Sequence, residues 1–463
     1  MNKSELEAVY GTINDVIEKL SFSYGKPFKE FDINNRLANV KNKGALGIIV
    51  EEGIFGYDIN SKGDADFHHL GLELKTTAVI RLKDNRFRAK ERLTLETLNY
   101  RKVVDQSFDQ SDLWNKIKMM LLVIYEYIHG IDYGDMKILK GFLHEFSKED
   151  YEIIKNDYNK IINKIREGKA EELSEGDTLY LGACTAGTGQ LLPQPFSSIK
   201  AKQRKFSLKN SYITEIIRRN LSTEEIEHIL ALSELKGGNF EDVINSKLKQ
   251  FIGWSEDQIC NHFSIYSHSK SKFELMISKM LMIKGRVNNT DEFKKANMKL
   301  KTIRVQENGR IIESMSFPAF SFVEIVEQDW EDNDFRNMLE SSRFMFAIFK
   351  ENNGVYYFER IKFWNIPLQI IENEGYQVFS KLKEVLLSGN IVKYARTESS
   401  GRVVQFNNFP GITFNKFIHV RPHAINASDT FPLPVADKLT GKKEFTKQCF
   451  WLNNKYVEEV INE

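Results

Sequence analysis

Apolar residues recur every three to four positions over Glu5–Leu20, Glu149–Arg166, Ile213–Asn220 and Asp242–Phe251, which predicts helices there. Leu70–Thr77 instead alternates apolar and polar, Met119–Tyr125 is a short continuous apolar run, and Phe-x-Leu segments recur at Phe206 and Phe450. These read as strands. Helical and strand patterns mixed along one chain predict an α/β (mixed α+β) fold, a central mixed sheet flanked by helices.

The pattern repeats. Phe67-His-His-Leu-Gly-Leu-Glu-Leu-Lys-Thr76 is echoed without a gap by Phe293-Lys-Lys-Ala-Asn-Met-Lys-Leu-Lys-Thr302. Leu98-Asn-Tyr100 and Phe320-Ser-Phe322 each precede an acidic stretch and then an apolar strand, Met119 to Tyr125 and Phe344 to Phe349. Phe206-x-Leu-x-Asn-x-Tyr212 returns as Phe450-x-Leu-x-Asn-x-Tyr456. Three echoes in one order predict a tandem duplication, with spacing that drifts as loop lengths differ. The expected division is a first domain 1–220, a linker 221–238 containing the Gly237-Gly238 hinge, and a second domain 239–463.

A length of 463 residues fits two or three domains with cores large enough to need no staples. Lys+Arg 65 against Asp+Glu 64 leaves a net charge of +1, so any nucleic-acid surface must come from local clustering. Cys184, Cys260 and Cys449 are odd in number, scattered and without a CxxC, which argues against a disulfide framework or zinc ribbon and for a reducing cytoplasm. The N-terminus has no signal-type apolar core and the longest apolar run is too short for a bilayer, so no membrane is expected. Gly187-Thr-Gly189 lacks the lysine of a phosphate-binding loop, so no nucleotide is expected.

One segment carries chemistry. In Asp66-Phe-His-His-Leu-Gly-Leu-Glu73-Leu-Lys75, alternation sets Glu73 and Lys75 on one strand face and Leu72 and Leu74 into the core. Gly71 permits a tight entry that folds Asp66 back toward Glu73. Two carboxylates suit Mg2+, a hard cation that takes oxygen ligands. Such an ion polarises a phosphate, and a neighbouring lysine can handle the attacking water or neutralise developing charge. Taken alone, Glu-x-Lys on a strand also fits a solvated edge.

Further motifs narrow the reading. The Asp66–Thr76 segment resembles the signature of the MutH-like branch of the PD-(D/E)xK nucleases, which holds mismatch-repair nicking enzymes and Sau-type restriction enzymes. Lys43-Gly-Ala-Leu-Gly-Ile-Ile-Val-Glu51 resembles that family's helix ending in an acidic residue, and Trp114-Asn-Lys116-Ile-Lys118 its segment with a second active-site lysine. Tyr180–Gly189 lies where the family reads bases, and Ile199–Tyr212 resembles the Sau-type enzymes. The resemblance implies a type II restriction endonuclease cutting double-stranded DNA at GATC with Mg2+ and leaving a 5′ phosphate. Asp66, Glu73 and the Leu74 carbonyl would hold the metal, Lys75 would handle water, and Glu51 and Lys116 would assist. A nicking enzyme and a DNA-binding module without activity are the rivals.

Candidate DNA contacts in the first copy are Thr185 and Thr188, with Gln190, for base edges, and Lys200, Lys202, Arg204, Lys205 and Lys209 for phosphates. A second basic run, Arg81 to Arg92, follows the catalytic strand. Tyr212 suits either DNA packing or the core. Cys184-Thr-Ala186 replaces the family's basic base-reading triplet, whereas the second copy has Arg421-Pro422-His423 there. The echo pairs Asp66 with Glu292, Glu73 with Lys299 and Lys75 with Lys301, so the second copy is expected to be catalytically dead. It is expected to act as a DNA-binding effector through Arg421, His423 and Lys447, with a dimer formed on DNA. His419 and His423 have zinc-like spacing, but Pro422 opposes a helix. His68 and His69 are assigned to packing or phosphate contact.

Overall fold

The computed structural model describes residues 3–39, 44–57, 65–82, 84–186, 190–221, 227–230, 232–235, 239–267, 271–311, 315–397 and 403–463. It divides into two compact units. One is Met1–Val243 together with Asn288–Asn297; the other is Ile244–Val287 together with Met298–Glu463. The compact units thus cross the division at 221–238 expected from the echoes.

The first unit has strands β1 (Glu73–Arg81), β2 (Phe87–Ala89), β3 (Leu93–Thr97), β4 (Met119–Glu126), β5 (Ile138–Glu145), β6 (Leu181–Thr185), β7 (Leu191–Leu192), β8 (Ala201–Lys202) and β9 (Arg204–Leu208). They build a mixed sheet in the order β2-β1-β4-β5, a sheet β3-β9-β6 and a ribbon β7-β8. Strand β1 runs parallel to β4, and β2 and β5 close the sheet antiparallel. The unbroken apolar run of β4 is explained by its place inside the sheet, where Met120 to Ile124 are fully buried. Leu72, Leu74, Leu121 and Val123 pack with Phe55 and Phe67 in one core cluster. The helix Lys148–Arg166 is capped by the Ser147 side chain and buries Ile153, Ile154, Tyr158, Ile161, Ile162 and Ile165.

Two expected elements differ in detail. Glu5–Leu20 is two helices, Lys3–Val9 and Ile13–Ser21, because Thr12 and Asp15 form a reciprocal capping box that starts the second. Leu70–Thr77 begins as a 3-10 turn, His68–Leu70, and becomes strand only at Glu73. Gly71 makes the change of direction at φ +62°, a conformation open to glycine.

The second unit has β10 (Met298–Val305), β11 (Met315–Ala319), β12 (Arg343–Asn352), β13 (Val355–Asn365), β14 (Val392–Thr397), β15 (Val403–Asn407), β16 (Ile418–Pro422), β17 (Thr430–Pro432), β18 (Glu444–Thr446) and β19 (Gln448–Leu452). Its sheets, β10-β12-β13 and β11-β19-β16, and its ribbon β17-β18 match β1-β4-β5, β3-β9-β6 and β7-β8, with β10 parallel to β12 as β1 is to β4, and no strand among the described residues takes the place of β2. The helices Tyr376–Ser388 and Asn454–Asn462 take the places of Lys148–Arg166 and Asn210–Leu221. The hairpin β14-β15 has no counterpart among the described residues of the first unit.

Segment 288–297 leads directly into β10 yet belongs to the first unit. Its helix, Asp291–Lys295, carries a buried lysine. Lys295 Nζ lies 2.7 Å from both carboxylate oxygens of Asp150 and 3.0 Å from Asp291. Tyr212 donates to Asp150 Oδ2 at 2.9 Å, and the rings of Tyr180 and Tyr212 flank the ammonium. Glu292, the echo of Asp66, accepts from the backbone N–H groups of Ile229 and Leu230. Breaking a buried, doubly paired charge typically costs about 3–5 kcal/mol. Lys295→Ala is therefore expected to lower the unfolding free energy by that order in urea melts. Lys295→Met combined with Asp150→Asn, which removes the stranded charge, is expected to lose less.

Candidate active site

The acidic face of β1 lies in a pocket of the first unit where the chain folds back on itself. Phe67 and Leu72 pair through two backbone hydrogen bonds of 2.9 and 3.2 Å, and the turn between them returns Asp66 to the start of β1. There Asp66 Oδ2 accepts the Leu74 N–H at 2.8 Å. Phe67 is fully buried and meets Tyr10, Phe55 and Tyr57 edge to face, which fixes the turn. Glu73 is 1% exposed. Lys75 donates to its Oε1, and Lys116 Nζ lies 3.4 Å from the same oxygen. Glu73 Oε2 is buried with no hydrogen-bond partner among the described residues.

Glu51 comes from the other side. It sits in the helical turn Val50–Phe55 that continues the helix Ala45–Ile49. Its neighbour Glu52 is held away by Arg36, with contacts of 2.9 and 2.6 Å, and by Asn34 at 3.0 Å. A Cβ at Gly53 would stand 1.8 Å from the Phe31 carbonyl oxygen, so the turn can pass there only as glycine. Lys43, which opens this motif, lies outside the described residues. Lys116 ends the helix Asp112–Ile117, whose first turn is capped by Ser111 accepting the Trp114 N–H at 3.0 Å.

The electrostatics follow from burial and crowding. Burial, then the Glu73 charge, pushes Asp66 up to about 6, against Lys75 and the Leu74 hydrogen bond. Burial, then the Asp66 charge, pushes Glu51 up to about 7. Glu51, Asp66, Glu73, Lys75 and Lys116 thus lie within one another's electrostatic field. Two further residues belong to it. Tyr57 is buried, its hydroxyl is unpartnered among the described residues, and burial together with the charges of Asp66, Glu51 and Glu73 raises its pKa. Glu96 on β3 is raised by burial and lies within the field of Lys116 and Glu73. Neither had a sequence signal: Tyr57 stands outside the strand pattern, and Glu96 reaches the site only through tertiary packing.

The proposed DNA contacts separate into two groups. Lys200 is exposed, and Lys202, Lys205 and Thr185 are half-buried; Thr188 lies outside the described residues. Arg204, Lys209 and Tyr212 require correction. Arg204 is buried and donates to the Ala183 carbonyl at 2.6 Å, and Lys209 is buried and donates to the Thr178 carbonyl at 2.5 Å. Tyr212 is a core residue bound to Asp150. These three hold strands and helices of the unit together, and their polar atoms face protein. In the run after β1, Arg81 pairs with Glu126, Arg86 with Asp84, Lys90 with Glu91 and Arg92 with Glu175, so its charge is largely matched. His69 Nε2 lies 2.6 Å from the Tyr10 carbonyl oxygen, a packing role.

In the second unit Arg421 and His423 are exposed at the end of β16, beside Trp451. Lys447 pairs with Asp429. His419 is buried against Asn453, on a strand and not a helix, which removes the zinc spacing argument. Lys299 and Lys301 replace the carboxylate and lysine of β1, and burial, then the Lys299 charge, lowers the pKa of the half-buried Lys301. The three cysteines are buried and unpaired, and among the described residues no helix is long and apolar enough to cross a membrane.

The family model described as DNA mismatch repair enzyme MutH matches residues 55–157, a stretch that starts just after Glu51 and runs through β1, Lys116, β4 and β5. The type II restriction enzyme Sau3AI of Staphylococcus aureus is 35% identical over 93% of this chain and 95% of its own length. The mismatch repair protein MutH of Shewanella baltica is 26% identical over 39% of this chain and 80% of its own length. The MutH of Shewanella sp. (strain ANA-3) is 23% identical over 45% and 95%. MutH proteins thus match one unit's worth of chain, whereas the restriction enzyme matches nearly all of it. The match to the MutH family model, together with 35% identity to a type II restriction enzyme over 93% of the chain, places this chain in the family of MutH-like type II restriction endonucleases.

Proposed function

We propose that the first unit hydrolyses double-stranded DNA at GATC with Mg2+, and that the second unit binds a further DNA site and promotes the cut. The observation that carries the catalytic reading is the buried Glu73, whose Oε2 lacks a partner while two lysines share its Oε1.

The donor set fits a magnesium ion. Glu73 Oε2, the Asp66 carboxylate and the Leu74 carbonyl are hard oxygens from adjoining positions. Among the described residues no three His, Cys, Asp or Glu side chains form a closed cage. Mg2+ takes one or two carboxylates plus phosphate oxygens and water. Bound there, it would supply polarisation of the scissile phosphate and a more acidic water. The Leu74 N–H holds Asp66 facing Glu73. Lys75, beside Glu73, is placed to orient water or to neutralise charge building on the phosphate, and Lys116 adds a second cation. Glu51, high in pKa, is suited to take a proton near neutral pH. The target GATC follows from the motif resemblance, and the effector role from a second unit that keeps the sheet and exposed Arg421 and His423 while losing the acids.

Four outcomes are expected. Asp66→Ala and Glu73→Ala should each lower Mg2+-dependent plasmid cleavage by roughly 1,000-fold or more, while duplex binding in Ca2+ persists. Mapped ends should fall at GATC in both strands without an added activator, and cutting of one strand only would favour a nicking enzyme. A pH effect on stability follows from Glu51. Its folded pKa of about 7 exceeds the ordinary 4.5, so the unfolded chain releases this proton first. Stability is therefore lost as pH rises across that window, through burial and the charges of Asp66, Glu73 and Glu52 against Lys75. In EDTA, Glu51→Gln should melt above wild type at pH 8, by at most about 3 kcal/mol, with the gain vanishing near pH 4. Finally, at low enzyme concentration a plasmid with two GATC sites should be cut faster than one with a single site. Equal rates would remove the effector role.

A further inference from the structure

Between its long helix and its base-reading strand, the first unit has only two 3-10 turns, Ala170–Glu172 and Glu175–Asp177. The second unit fills the same interval, 389–417, with the hairpin β14-β15. The hairpin forms a sheet of its own. Along β14, Lys393 to Thr397 are all exposed, so neither face of the strand is covered. Two-stranded hairpins are marginal in water without a packed face. This one is held by its root and by one aromatic pair.

At the root, Ile391 and Val392 are buried, and their N–H groups donate to Asp437 Oδ1 at 3.1 and 2.8 Å. The returning strand runs into Phe409, which is buried and stacks on Phe322. Pro410 then accepts the Val420 N–H at 2.8 Å, which fastens the hairpin to β16, the strand that ends in Arg421. Farther out, Tyr394 and Phe406 are paired across the hairpin and stack at 4.5 Å, yet stay 47% and 39% exposed. Lys393 and Arg396 flank the pair, and no acidic side chain among the described residues forms an ion pair with either.

We infer that the β14–β15 hairpin is a DNA-binding arm of the second unit, which lays Lys393 and Arg396 on phosphates and the Tyr394–Phe406 pair against the duplex. A two-stranded ribbon has the dimensions of the major groove. Cations that lack acidic partners among the described residues, on a strand β14 exposed along both faces, complement a polyanion. An apolar protein partner would instead be matched by an uncharged face. Attachment to β16 sets the arm and Arg421 on one structural support. The inference rests on the reading of the second unit as a DNA binder and adds the element that makes contact.

The test uses the full chain with Lys393→Gln and Arg396→Gln together, checked by an unchanged melting temperature. Affinity for a GATC duplex is measured in Ca2+ by fluorescence anisotropy over a range of salt. Loss of two phosphate contacts should flatten the slope of log K against log salt by about 1.8. A duplex carrying photoreactive 5-iodouracil should crosslink wild type at Tyr394 or Phe406, located by peptide mass spectrometry. An unchanged slope with crosslinks confined to other segments overturns the inference. So does a variant that alters self-association in sedimentation while its salt slope stays put, because the arm would then serve a second copy of the chain. If Arg421→Ala weakens duplex binding but the arm variant does not, the second unit binds DNA and the arm alone is refuted.

Discussion

The charge of Glu73 is the constraint around which the first unit is arranged. A carboxylate at 1% exposure has lost nearly all its hydration, a loss of several kcal/mol unless it is paired. Lys75 and Lys116 answer it from a strand and a helix, and both converge on one oxygen. The pairing leaves the other oxygen without a donor and leaves Asp66 and Glu51 crowded against the same charge. Their raised pKa values are the visible result. Such a pocket gains most from a small dication, which would relieve carboxylate repulsion and occupy the orphaned oxygen at once. The carboxylate crowding that raises these pKa values is what a dication would offset.

How much of this is legible in the chain depends on the range of the interaction. Alternation placed Glu73 and Lys75 on one face because a strand's geometry is local. Asp66 was within reach because its turn closes over a few residues, between Phe67 and Leu72. Glu51 and Lys116 came from motif resemblance; nothing in their own neighbourhoods marks them as facing β1. Tyr57 and Glu96 had neither kind of signal. The basic segment 200–212 shows the opposite failure. Composition reads it as a phosphate-binding run, but Arg204 and Lys209 turn inward to carbonyl oxygens of neighbouring strands and loops. Their long stems and donor heads bridge backbone groups that would otherwise be buried unpaired. Charge along a sequence cannot distinguish a donor aimed at solvent from one aimed at a carbonyl.

The duplication was visible as three echoes, and the element order repeats accordingly. The placement of 288–297 was not visible, because the echo of Asp66–Phe67 suggests that this stretch should belong with β10. Instead Lys295 is drawn to Asp150, and Glu292 caps the backbone at Ile229 and Leu230. These bonds lie within the first unit, although the segment leads directly into β10.

The same logic bears on β10. Lys299 is exposed where Glu73 is sealed, and Lys299 with burial holds the Lys301 pKa down. Two cations on one strand face repel each other, and a divalent metal would add to that repulsion. An anion would reduce it. A nuclease strand whose acid has become lysine therefore reverses the sign of what it attracts without altering its place in the sheet, with β10 still parallel to β12 as β1 is to β4. The fold tolerates the reversal because its stability resides in the opposite face, where Leu300 keeps the place of Leu74 and both remain 4% exposed. Site and scaffold occupy alternate residues of one strand, so a copy can lose the first and keep the second.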